Sequence, residues 1–181
     1  MNTRLLRGFS LIELMITIAI LGVLTMLALP SFGRWITNTR VRNMAESIQN
    51  GLRLAQREAA SRNGSVSFVL TAAAPPSCTS TASTSGTNWV ICSGTTVIER
   101  GIGQAGSTTA VVAADFSSVS FDGLGRTDLG GSSQVAVTSS SGACETSSAA
   151  GIRCLNVLIS PGGKVRLCDP LLTAGDPGAC S

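Results

Sequence analysis

The chain has 181 residues, of which 44% are hydrophobic and only 13% are charged, and its formal net charge is +3. A charge this small supplies no strong overall field for recruiting nucleic acid or anionic surfaces. The chain has no histidine, and its serines have no neighbour suited to activate them, so we predict that the protein is not an enzyme and needs no cofactor.

A short basic leader precedes a long apolar segment. Residues 1–8 carry two arginines and end in glycine, and residues 9–29 are apolar apart from Glu13 and a few hydroxyl groups. As an α-helix, residues 9–29 span roughly 32 Å, the thickness of a bilayer's hydrocarbon core. We therefore predict a transmembrane and assembly helix over residues 9–29.

Glu13 is an ionisable group near the start of this helix. Such a group costs about 2.5–3.5 kcal/mol near the centre of a membrane helix and less near its end, so its presence indicates a function and a cationic partner. If the chain is cut between Gly8 and Phe9, the new α-amine lies at the start of the helix. It can then meet the Glu13 carboxylate of a neighbouring copy in a packed bundle.

The motif after the basic leader is Gly8-Phe9-Ser10-Leu11-Ile12-Glu13-Leu14. It resembles the class III signal of type IV prepilins and type II secretion pseudopilins. The resemblance implies that prepilin peptidase cuts after Gly8 and removes residues 1–8. It also implies that Phe9 becomes N-methylated and that Glu13 guides docking into a growing filament.

Two other interpretations explain the start of the chain less well. An ordinary secretory signal should end in a small-x-small cleavage site, but near Ala28 the residue three positions before the cut is Met26. An uncleaved single-span anchor accounts for the apolar run and the basic leader, but it leaves the cost of Glu13 unexplained.

After the membrane segment, residues 31–63 have the pattern of an amphipathic helix. Asn63 and Gly64 tolerate the left-handed conformation that ends a helix. Pro30 and Gly33 predict a kink or a melted turn between the two helical halves. The apolar positions recur every three or four residues and form one stripe: Val41, Met44, Ile48, Leu52, Ala55 and Ala59.

Beyond Gly64 the sequence changes to short segments rich in Val and Ile, separated by turn residues. We predict one extracytoplasmic pilin-like domain of the α+β class over residues 30–181, with its long N-terminal helix packed on an antiparallel β-sheet. Pro161-Gly162-Gly163 predicts a hairpin, and residues 71–87 and 139–151 predict mobile polar loops. The predicted strands are residues 65–70, 88–92, 95–100, 110–113, 118–121, 134–138, 152–160 and 164–168.

All six cysteines lie after the membrane segment, which predicts disulfides because the outward compartment is oxidising. Fifteen pairings are possible, and we predict that neighbours in sequence pair because each bond would staple a loop or the tail. A zinc site would be the alternative, but without histidine or a Cys-x-x-Cys motif we predict no metal. The predicted pairs are Cys78 with Cys92, Cys144 with Cys154, and Cys168 with Cys180.

The soluble part is similar to minor pilins and pseudopilins of the FimT, FimU and GspH type. The similar segments are the helix end at residues 52–63, the run Gly163-Lys164-Val165-Arg166-Leu167-Cys168-Asp169-Pro170, and the tail at residues 176–180. In the DNA-uptake members of this family, a Gly-Arg-x-Arg motif on the final hairpin touches DNA. In this chain Lys164 takes the place of the first arginine, and Arg166 matches the second.

The sequence therefore predicts a minor pilin that is inserted in the bacterial inner membrane by a single span, with its C-terminal domain in the periplasm. It would be cleaved by prepilin peptidase and join other minor pilins and the major pilin as a tip or initiating subunit, reaching the extracellular pilus on assembly. The disulfide-bearing Cys-Asp-Pro tail favours this role over a type II secretion system minor pseudopilin. A third possibility is a DNA-binding minor pilin that uses Lys164 and Arg166, with help from Arg126 or Arg153.

Overall fold

The computed structural model describes residues 10–103, 109–147 and 149–180, and for residues 27–31 it describes the backbone alone. The described residues form one helix, α1 (Leu11–Arg62), and eight strands. The chain divides into two compact units, Met1–Ile36 and Thr37–Ser181. The strands are β1 (Val66–Thr71), β2 (Asn88–Ser93), β3 (Thr96–Gly101), β4 (Ala110–Ala114), β5 (Ser118–Phe121), β6 (Ser133–Ser139), β7 (Leu155–Ile159) and β8 (Val165–Cys168).

From Leu11 to its end the first unit is helical, and its large apolar side chains between Leu11 and Met26 are exposed on all sides of the helix. The helix continues through Pro30 and Gly33, so the melted turn predicted there is wrong. A proline removes one backbone hydrogen bond, and the turns on either side of it remain paired.

Within the described ranges, no helical stretch combines the length and the apolarity that crossing a bilayer requires. The predicted span, residues 9–29, starts at Phe9, outside those ranges, and its last three side chains are not described. Its membrane role stays a prediction.

The second unit places the C-terminal half of α1 against two antiparallel four-stranded sheets, with strand orders β3-β2-β1-β5 and β4-β6-β7-β8. The predicted α+β fold is confirmed, with two sheets in place of one. The six residues of the predicted apolar stripe on α1 are all buried. On the sheet side, Phe68 and Trp89 stack with ring centroids 5.6 Å apart. The Trp89 indole Nε1 donates to Ser47 Oγ on α1 at 3.0 Å.

Helix α1 ends as its sequence predicts. Asn63 has a φ of 47°, in the left-handed region. The Gly64 N–H donates to the Ala59 carbonyl at 3.1 Å, and the Asn63 N–H donates to the Ala60 carbonyl at 3.3 Å. These two bonds form a Schellman cap, which satisfies carbonyls that the helix leaves unpaired.

The predicted strand over residues 152–160 is wrong at its start, because β7 begins only at Leu155. Ile152 instead forms a parallel bridge with Cys144: its N–H donates to the Ala143 carbonyl at 2.9 Å, and its carbonyl accepts from Glu145 N–H at 2.8 Å. The predicted loop over residues 139–151 thus has backbone pairing of its own.

Three disulfides connect the neighbouring cysteines, in the pairing predicted above. They join Cys78 to Cys92, Cys144 to Cys154, and Cys168 to Cys180, with Cα–Cα distances of 5.8, 5.5 and 5.0 Å. The last bond staples the C-terminal tail to β8, where the Asp169 N–H also donates to the Gly178 carbonyl at 2.8 Å.

We expect the soluble part of the protein, purified from an oxidising compartment, to contain almost no free thiol. Each disulfide closes a loop of 10 to 14 residues in sequence separation, which in the chain-entropy model contributes about 3 kcal/mol of stability. Thiol titration of the unfolded, unreduced protein measures this directly. Two or more free thiols per chain would contradict the stapled tail.

Candidate functional site

The predicted processing site, Gly8 and Phe9, lies outside the described residues. The described part of this region starts at Ser10, whose Oγ accepts from the Glu13 N–H at 3.2 Å. The Ser10 carbonyl accepts from the Leu14 N–H at 3.2 Å. Ser10 is therefore the N-cap of α1, a role that the sequence analysis missed. The Ser-x-x-Glu spacing of a capping box could have indicated it.

Glu13 occupies the first turn of α1 with its side chain exposed. The first turn is the positive end of the helix dipole, which stabilises a negative side chain there. The fold thus leaves the carboxylate exposed at the start of an apolar helix.

The C-terminal hairpin presents the other predicted site residues. Gly163 N–H donates to the Ser160 carbonyl at 2.8 Å and closes the turn, and β8 follows. Lys164 is exposed, Val165 is buried and Arg166 is half-buried. Lys164 lies one residue before β8, so the common face that the sequence predicts for Lys164 and Arg166 stays a prediction.

Helix side chains bond to the outer backbone of β8, the last strand of its sheet. Arg53 Nη2 donates to the Val165 carbonyl at 3.2 Å. With its amide oxygen turned toward the donors, Gln49 accepts from the Leu167 N–H at 2.9 Å and from Arg53 Nη2 at 3.1 Å. An open groove of about 420 Å³ beside this contact is lined by Asn50, Arg53, Gln56, Arg57 and Val165.

Gly163 lies where α1, the turn of residues 122–126 and the hairpin meet. Its φ is +81°, and a Cβ added to it would overlap the Gly125 carbonyl oxygen and Gln56 Nε2. Gln56 Nε2 donates to that same carbonyl at 2.9 Å. Both the backbone conformation and the close approach require glycine here, which gives the first residue of the Gly-Lys-Val-Arg run a packing role.

The two arginines that the sequence offered as helpers in DNA binding both form ion pairs within the chain. Arg126 Nη2 lies 3.0 Å from Asp122 Oδ2, and Arg153 Nε lies 2.6 Å from Asp169 Oδ2. The hydrogen bond from the Arg126 backbone N–H, more than any other contact, holds the pKa of Asp122 below its usual range. Both guanidinium groups therefore already have a carboxylate partner within the chain.

Two family models match the chain. The model described as the type II transport protein GspH matches residues 44–163, more than half of the chain. The model described as the prokaryotic N-terminal methylation motif matches residues 5–29, a range that includes Gly8, Phe9 and Glu13. No curated protein sequence matches the chain significantly.

Two solved structures, both of the type IV minor pilin FimU from Pseudomonas aeruginosa strain PAO1, share the fold. The crystal structure in space group P21 aligns with a TM-score of 0.53 and 14% sequence identity, covering 79% of this chain and 96% of FimU. The structure in space group P65 aligns with a TM-score of 0.50 and 14% identity, covering 77% and 99%.

Proposed function

The chain belongs to the GspH family and is a minor pilin or pseudopilin with an N-terminal methylation motif, and we propose that it is a tip or initiating subunit of a type IV pilus. The observation that carries the proposal is Glu13 in the capped first turn of a helix whose large side chains are apolar on all sides. A carboxylate kept in that setting needs a cationic partner. As a structural subunit, the protein needs no catalytic residue, metal or cofactor.

In the proposed mechanism, residues 9–29 insert in the inner membrane and the second unit lies in the periplasm. Prepilin peptidase cuts after Gly8, and the amine of the new N-terminus, Phe9, is methylated. The Glu13 carboxylate of one subunit then pairs with the terminal amine of a neighbouring pilin, where water is excluded and a charged pair is strong. Other minor pilins and the major pilin are the partners, and assembly carries the subunit into the extracellular pilus.

We expect protein from the native membrane to start at Phe9 and to carry one N-methyl group. The reason is the order of the basic leader, Gly8, Phe9 and Glu13, which the methylation-motif model also matches. Intact-mass and N-terminal peptide mass spectrometry measure this, with protein from a strain that lacks prepilin peptidase as the uncut control. A chain that starts near residue 29, or one that keeps Met1, would contradict the proposal.

A minor pseudopilin of a type II secretion system is the alternative within the same family. The stapled tail, with the Cys168–Cys180 bond and Asp169 held by Arg153, supports the pilus role. Deleting the gene distinguishes the two roles. Loss of surface pili with normal protein secretion is the result that we expect, and the reverse result would establish the pseudopilin.

A DNA-binding minor pilin is the candidate from another functional class. Lys164 and Arg166 lie two residues apart at the start of β8, and Arg53 and Arg57 line the groove beside the same strand. The small net charge and the ion pairs of Arg126 and Arg153 argue against DNA binding. A few phosphate contacts of this kind make the DNA affinity only weakly dependent on salt. Each contact lowers the slope of the log binding constant against the log salt concentration by about 0.9.

We expect the Thr37–Ser181 unit, which has its own core, to bind duplex DNA more weakly than about 10⁻⁵ M at physiological salt. Fluorescence anisotropy with labelled DNA measures the affinity. Arg100→Gln, on the exposed β3 strand of the other sheet, is the matched control for charge. The DNA-uptake role would replace our proposal if the unit binds DNA tightly and the double variant Lys164→Gln with Arg166→Gln does not. In that case Arg100→Gln should still bind DNA normally. Weak binding that neither change affects would reflect the arginines of α1.

A further inference from the structure

Two aromatic side chains, Phe32 and Trp35, are exposed together on the first unit. Their exposed fractions are 59% and 64%, and their rings meet edge to face with centroids 6.3 Å apart. A spacing of three residues places them on one face of the helix. Arg34, between them in sequence, is also exposed. Side chains of this size are seldom left in water as a pair, so this face calls for an apolar or amphipathic partner.

The position of the pair along the helix identifies that partner. No residue from Leu14 to Gly33 is charged, and Arg34 is the first charged residue after Glu13. At the helical rise, Phe32 and Trp35 lie about 4.5 Å and 9 Å beyond residue 29, the end of the predicted span. The headgroup layer on one side of a bilayer is about 5–7 Å thick. Because helical side chains lean toward the N-terminus, both rings reach back into this layer.

We propose that Phe32, Arg34 and Trp35 form an interfacial anchor that docks in the phospholipid headgroup layer on the periplasmic side of the inner membrane. The inference rests on the proposed membrane insertion of residues 9–29. Tryptophan has an apolar ring and a polar N–H, a combination that concentrates at the membrane interface. Phe32 covers the acyl-chain side of the same face. Arg34 is long enough to reach a lipid phosphate, which its planar guanidinium binds with two N–H groups.

The anchor fixes the depth of the helix. With the aromatic face held at the interface, Glu13 lies about 30 Å deeper along the axis, near the opposite boundary of the hydrocarbon core. The cost of its charge is therefore close to the low end of the range for membrane helices. The depth of the Glu13 carboxylate in the bilayer is thus fixed before the subunit assembles.

Tryptophan quenching tests the anchor in the full-length protein. The chain has two tryptophans, and Trp89 is only 7% exposed in the second unit, so Trp35→Phe gives the reference signal to subtract. The protein is reconstituted in phosphatidylethanolamine–phosphatidylglycerol vesicles that contain lipids brominated near the headgroup end or near the methyl end of the acyl chain. We expect the headgroup-proximal bromines to quench Trp35 about twofold or more, and the deep bromines to quench it less.

Three results would overturn the anchor. Protein that stays in the vesicles after extraction with alkaline carbonate counts as inserted. If neither set of bromines quenches Trp35 in this inserted protein, the ring lies in water or against another protein. Stronger quenching by the deep bromines would place the ring in the hydrocarbon core. If carbonate removes the protein from the vesicles, the membrane helix itself is wrong, and the proposed function fails together with the anchor.

Discussion

The variant Glu13→Gln is expected to be cleaved and inserted normally, yet to be depleted roughly thirtyfold from sheared pili. Glutamine has almost the shape of glutamate but no charge, so the substitution makes membrane insertion easier. A loss of the variant protein from pili therefore cannot arise at the insertion step. In the proposed docking, it removes the charge-assisted bond to the amine of a neighbouring pilin, for which we expect about 2 kcal/mol where water is excluded. Immunoblots of membranes and of sheared pili, compared with the wild type, give the two quantities.

Two variants serve as controls for this experiment. Glu13→Asp keeps the carboxylate and should restore part of the incorporation. Glu58→Gln neutralises a different glutamate of α1, one paired with Arg62 at 2.9 Å in an exposed i,i+4 pair, and should leave incorporation unchanged. If the Gln variant reaches the wild-type level in pili, Glu13 has no role in docking.

Gly163→Ala is expected to lower the stability of the second unit by about 2–4 kcal/mol, because alanine would hold a positive φ and its Cβ would overlap the Gly125 carbonyl oxygen. The overlap would also displace Gln56 Nε2, which donates to that oxygen. For a unit of this size the melting temperature should fall by roughly 5–15 °C. Thermal unfolding followed by circular dichroism, with the disulfides intact, measures the change.

Gly162→Ala is the matched control in the same turn. A Cβ at Gly162 would lie 3.9 Å from its nearest neighbour, Ser160 Oγ, and Gly162 is not among the residues with positive φ. We expect a change within about 0.5 kcal/mol. Equal destabilisation by both variants would mean that the turn itself, and not the contact with α1, sets the requirement for glycine.

The features that the sequence predicted well are local ones. The apolar stripe of α1 and its end at Asn63 depend on residues within one or two turns of each other, so periodicity and turn chemistry suffice. The sequence-neighbour pairing of the cysteines is also local, with separations of 10 to 14 residues.

The features that the sequence did not predict depend on distant residues. Strand β5 pairs with β1 and not with its neighbour β4, which lies in the other sheet. Nothing in the composition of β4 or β5 indicates that division. The same holds for the late start of β7, where Ile152 pairs with the loop that Cys144 closes.

The candidate site divides in the same way. The motif at residues 8–13 is contiguous, so the sequence alone indicates the residues for which we propose processing and docking. The role of Gly163 appears only in three dimensions, because Gln56 and Gly125 come from elements that lie 107 and 38 residues earlier in the chain. Likewise, only the folded chain shows that Asp122 and Asp169 hold Arg126 and Arg153.

The hydrogen bonds from Gln49 and Arg53 to β8 protect this protein from aggregation through the edge of its sheet. A terminal strand with free backbone groups is a template onto which an extended segment of another molecule can add, and such addition leads to aggregation. On β8 the Val165 carbonyl and the Leu167 N–H already have helix partners. A second copy would have to displace both side chains to extend the sheet there. At this edge, contacts with a neighbouring subunit are thereby limited to side-chain surfaces, where charge and shape can select the right partner.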